Sequence, residues 1–205
     1  MSLKDMSSGQ VGRGLFALGG TGAIIMTVAS VIMAVFALWP LWIFSYSFVW
    51  YLVLVTGLIQ LLIGSVFVGI AYYAFYRHFE RPMGIAGLVF GVICSVALLV
   101  FGVIGMFPIM TYGPYYPYFP SPFGAVLYWL GLLLFGTMLV IWGVASIVIR
   151  KSTSMPGLSL ATGIVLIIAG GFVASLLLAF VGFVLLLASQ IMNAIVFLKM
   201  TVIAN

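Results

Sequence analysis

Acidic side chains are almost missing: Asp5 and Glu80 are the only carboxylates, set against seven lysines and arginines. Without a carboxylate pair there is no acid–base couple, and without a carboxylate inside a membrane span there is no proton relay of the usual kind. Histidine is as scarce. His78 stands alone, so the chain cannot supply two imidazoles to a haem or build the histidine clusters of many metal sites. Cys94 is the only cysteine and lies in an apolar run, which rules out an intrachain disulfide. No phosphate-cradling loop, dinucleotide glycine pattern or serine–histidine–acid set is present. These absences set the expectation of no catalytic residue, no metal and no cofactor in the isolated chain.

Charge of either sign is thin. Only 4% of residues are charged and 66% are hydrophobic, where a soluble domain carries roughly 25% charge to cover its surface. The cations are too scattered to neutralise a run of phosphates, so nucleic acid is excluded as a partner. No polar stretch is long enough to fold as a separate soluble unit, and one membrane domain over 15–199 is expected. The first apolar run, Leu15–Leu38, exceeds the ~7–15-residue core of a signal peptide and reads as a retained span. Neither a myristoylation pattern nor a prenylation box is present, which leaves the spans themselves to hold the chain among membrane lipids.

Crossing a hydrocarbon core of ~30 Å takes ~20 apolar residues. Leu15–Leu38, Phe48–Tyr76, Met83–Phe107 and Gly124–Ile149 all meet that length. Runs so long suit helices and not the ~10-residue alternating strands of a barrel, so the fold class is an all-α polytopic bundle. The last run, Gly157–Leu198, would reach roughly 60 Å at ~1.5 Å per residue, twice the core thickness. A hairpin turning within Gly170–Ala179 uses that length, giving six spans at about 15–38, 48–76, 83–107, 124–149, 157–174 and 179–199, with tails at 1–14 and 200–205. Five spans, the last ending near Ser189 with the remainder in the interface, is the competing reading.

Orientation follows from the cations. Lys4 and Arg13 precede the first span, Arg77 and Arg81 separate the second from the third, and Arg150 and Lys151 follow the fourth. The intervening segments Trp39–Ser47 and Pro108–Phe123 carry no charge. Cytoplasmic loops are enriched in Lys and Arg, so the N-terminus is expected inside the cell membrane. The pattern also repeats: a slide of 68 lays Arg13 on Arg81, Gly19 on Gly87 and Pro40 on Pro108, and one of 74 lays Gly57 on Gly131, Gly69 on Gly143 and Arg77 on Lys151. This suggests a duplicated helical hairpin.

Three features remain that could carry function. Gln60 places an amide near mid-span, where lipid offers it no hydrogen-bond partner. It reads as interhelical glue, with Gln190 at similar depth as a possible partner, or as one wall of a solute path. Small residues four apart, Gly87 with Gly91 and Ser65 with Gly69, share a helix face and permit close packing within the chain or against another subunit. The segment Thr111–Phe123 packs Tyr112, Tyr115, Tyr116, Tyr118, Phe119 and Phe123 around four prolines. It reads as an interfacial aromatic belt or a docking surface.

The function expected from this pattern is a non-catalytic membrane subunit or scaffold. It would dock partner subunits, or further copies of itself, through the glycine faces and the aromatic segment. A passive channel or facilitator for a neutral solute, lined by Gln60, Thr56 and Ser65, is the alternative.

Overall fold

A computed structural model of the chain describes residues 3–38, 48–106, 122–175 and 178–203. Within them lie six long helices: α1 (Leu3–Leu38), α2 (Phe48–Phe79), α3 (Met83–Met106), α4 (Pro122–Ile149), α5 (Pro156–Ala174) and α6 (Ala179–Ile203). A single 3₁₀ turn, Arg150–Ser152, joins α4 to α5. All six helices are long and apolar enough to cross a membrane, and the last run does turn back as a hairpin. The protein is a multi-pass helical membrane protein.

The helices outrun the apolar stretches at both ends of the bundle. Residues 3–14, expected as a tail, form the first turns of α1, and α6 continues past Lys199 to Ile203. Helical hydrogen bonds do not depend on lipid, and no proline stops either extension.

The connections are short where they are described. Glu80 ends α2 in the left-handed region at φ 53°, its N–H donating to the Tyr76 carbonyl at 2.9 Å. That conformation usually falls to glycine at a helix C-terminus. Pro82 then leads directly into α3 and Pro156 opens α5, positions where the missing N–H costs nothing. Thr153 closes the 3₁₀ turn by donating its hydroxyl to the Arg150 carbonyl at 2.7 Å.

Each helix packs on the next in sequence, and α6 packs back on α1, so the six close into a cycle. Neighbours run antiparallel, as the glycine contacts show. A Cβ on Gly22 would strike α2 at Gly64 and Phe67, one on Gly57 would strike Ile32 of α1, and Gly20 abuts Leu198 of α6. Gly143 meets Gly163 and Gly136 meets Gly170 across the α4–α5 pair. The glycines matched by the 74-residue slide occupy equivalent faces. Gly57 and Gly131 abut the preceding helix, and Gly69 and Gly143 abut the following one.

Inside and outside differ little in polarity on the apolar scale. The outer surface presents Ile24, Val31, Ile59, Ile93, Ile164 and Ile191, as a lipid-facing surface should. Three outward threonines, Thr21, Thr56 and Thr137, donate their hydroxyls to the carbonyls four residues back at 3.1, 2.7 and 2.9 Å. Each donor is thereby satisfied within its own helix. The interior holds the bulky rings Tyr72 and Phe75 of α2, Phe135 and Trp142 of α4, and Phe183 and Phe197 of α6, all fully buried.

Candidate functional site

The densest polar grouping in the interior lies toward the end of the bundle that carries Arg77, Arg81, Arg150 and Lys151. Tyr72 is its hub, seven residues before the end of α2. Its hydroxyl shares a hydrogen bond with Ser146 Oγ of α4 at 2.6 Å and reaches the Trp142 carbonyl at 3.3 Å. Ser159 of α5 donates to the Ser146 carbonyl at 2.9 Å. Trp142 donates its indole N–H to the Gly87 carbonyl of α3 at 2.8 Å.

On the far side α6 contributes Gln190 and Asn193, spaced three apart and therefore on one face. Asn193 lies beside the Tyr72 hydroxyl and donates its amide to Gln190 Oε1 at 3.4 Å. Phe197, one turn further, stands edge-on to the Tyr72 ring with centroids 5.9 Å apart, and Trp142 lies 5.7 Å from the same ring. Five of the six helices thus meet at one cluster of neutral hydrogen-bonding groups. All of its side chains are buried, and Gln190 is 0% exposed.

A second polar layer lies nearer mid-depth and uses sulfur. Ser65 donates to the Met26 thioether at 3.8 Å and Ser95 to that of Met138 at 3.4 Å. Thioether sulfur is a weak acceptor, so these contacts satisfy buried hydroxyls without placing a strong polar group in the core. Cys94 is buried. Among the described residues no three of His, Cys, Asp and Glu gather into a metal-binding set.

The residues singled out by sequence fall in separate places. Gly87 sits under the Tyr72 ring, Gly91 under the Trp142 indole, and Gly69 against Leu88, so these three faces are covered by the chain's own helices. Ser65 is buried against α1 through Met26. Gly171, by contrast, has nothing within 4 Å of where its Cβ would stand. Gln60 does not pair with Gln190, since Gln60 Oε1 and Gln190 Nε2 are each without a hydrogen-bond partner. The reason is angular: equal depth does not bring two helices' faces together, and Gln190 is turned toward Asn193. Thr56 lies on the outer surface, so Gln60, Thr56 and Ser65 do not converge on one path. Phe123 is 71% exposed at the start of α4. Tyr112, Tyr115, Tyr116, Tyr118 and Phe119 lie outside the described residues.

Sequence reading passes over Trp142, Tyr72, Ser146 and Asn193. The one signal available for them is the i, i+3 spacing of Gln190 and Asn193, which puts two amides on the same face of an otherwise apolar helix. No family model, no curated protein and no solved structure matches this chain.

Proposed function

We propose that this chain is a non-catalytic integral membrane subunit that positions partner membrane proteins. It sits in the cell membrane with its cation-bearing end in the cytoplasm. The observation supporting this is how the interior polar groups are used. Tyr72 with Ser146, Trp142 with Gly87 and Ser159 with Ser146 tie four helices to one another, and the space between is filled by fully buried rings. A bundle bolted in this way suits a rigid body. With the faces of Gly69, Gly87 and Gly91 already covered inside the chain, the docking surfaces in this reading are the apolar outer flanks and the aromatic segment ending at Phe123.

Purification from native membrane in mild detergent should recover stoichiometric partner proteins that carry cofactors. Replacing Tyr115, Tyr116, Tyr118 and Phe119 with serine should leave insertion intact and reduce that recovery by tenfold or more, given ~1–2 kcal/mol for each lost aromatic anchor. A protein recovered without partners that lets a neutral solute cross liposomes would establish the facilitator instead.

The orientation has its own test. Gly157 is exposed at the cation-bearing end with open space around it, so Gly157→Cys in a Cys94→Ser background provides a label site without a clash. A membrane-impermeant thiol reagent should modify it in inside-out vesicles and leave it untouched in intact cells. Labelling from outside intact cells would invert the topology.

A further inference from the structure

Two basic turns meet at one end of the bundle. Arg81, in the α2–α3 connection, donates from Nε to Ser152 Oγ in the 3₁₀ turn after α4, at 3.3 Å. That contact brings Arg81 next to the turn bearing Arg150 and Lys151, while Arg77 lies in the last turn of α2. Glu80 is the only carboxylate in either connection, so four cations against one acid leave a net charge of +3.

The surface beside these turns is apolar and outward. Tyr76 at the end of α2, Ile85 at the start of α3 and Val148 at the end of α4 are each between 39% and 46% exposed. A cationic rim directly above an apolar wall fits a molecule with an anionic head and a hydrocarbon tail. The rim lies where the spans end and the headgroup layer begins, and clusters of Lys and Arg at that depth attract anionic lipid.

We infer that Arg81, Arg150 and Lys151, held together by the Arg81–Ser152 contact, form a binding site for an anionic phospholipid of the leaflet on that side. The phosphate lies between the two turns and an acyl chain runs along Ile85 and Val148. Arg81 is the specific element, because a guanidinium engaged at Nε still has its two Nη groups to fork onto phosphate oxygens. This inference stands on the chain's place in a membrane and does not depend on the scaffold reading.

The test is lipid retention by the full chain, delipidated in detergent and then offered phosphatidylglycerol or phosphatidylcholine in equal amounts, with bound lipid counted by native mass spectrometry. Phosphatidylglycerol should be retained preferentially, and the preference should fall as salt is raised. Substituting Arg81, Arg150 and Lys151 together by glutamine should reduce that preference by roughly a hundredfold, at about fivefold per cation. Lys199→Gln, on α6, should leave it within about twofold, as expected for a charge outside the site. The salt series uses the unaltered protein, so it decides the matter even if the triple variant folds poorly. Equal retention of the two lipids, a preference indifferent to salt, or displacement of the lipid by millimolar inorganic phosphate would each overturn the assignment.

Discussion

Trp142→Ala should lower the stability of the bundle by roughly 3 kcal/mol, the low end for deletion of a buried tryptophan. The low end applies because lipid is as apolar as the core, so the loss is one of packing and not of transfer from water. What disappears is the ring that fills the space between α2, α3 and α4. The indole lies 3.0 Å from the position of a Cβ on Gly91, is tilted against Tyr72 and is hydrogen-bonded to the Gly87 carbonyl. Trp142→Phe keeps a ring and gives up that bond, which in membrane bundles averages about 0.6 kcal/mol. Helicity followed through an SDS titration should therefore place the variants in the order wild type, Phe, Ala. An alanine variant that unfolds with the wild type would show that the cluster does not hold the bundle together.

The second large effect belongs to glycines that cannot tolerate a methyl group. A Cβ on Gly163 would stand 2.6 Å from the Gly143 carbonyl oxygen, and one on Gly143 would stand 2.6 Å from the Gly163 carbonyl oxygen. Backbone cannot rotate away as a side chain can, so Gly163→Ala forces α4 and α5 apart. The cost expected for such overpacking is about 1–3 kcal/mol. Gly143→Ala should cost a similar amount. The double variant should cost less than the two together, because the first substitution has already opened the gap that the second needs. Gly171→Ala on the same helix meets nothing. It should be neutral, or gain up to about 1 kcal/mol from helix propensity. Equal losses at Gly163 and Gly171 in the same titration would mean that helix flexibility, and not the close approach, is what these glycines provide.

The contrast between Gly163 and Gly171 also shows what is readable from sequence and what is not. Six helices are legible because a bilayer demands long uninterrupted apolar runs, and the cation-bearing end is legible because charge is confined to the gaps between them. The order of packing is hidden. On α3 Ile93 is 60% exposed and Leu98 is 1% exposed, yet the two are chemically alike. In a soluble helix the outward residue would be polar, and the pattern would reveal the face. Lipid removes that contrast, so Trp142 looks like any other apolar residue of its span. Gln60 and Gln190 share a depth without sharing a face. Only the rarer polar residues retain directional information, and of these the Gln190–Asn193 pair points most directly to the Tyr72 cluster.

The closure of α6 on α1 also sets an order of assembly in time. α1 ends at residue 38 and α6 at residue 203, so the ribosome must add 165 more residues before the last helix is complete. At 5–20 residues per second that is roughly 10–30 s. Throughout that interval Gly20 of α1, which the finished bundle covers with Leu198 and Ala194 of α6, has not yet met its partner helix. For those seconds the nascent chain leaves open to the bilayer the face of α1 that α6 later closes.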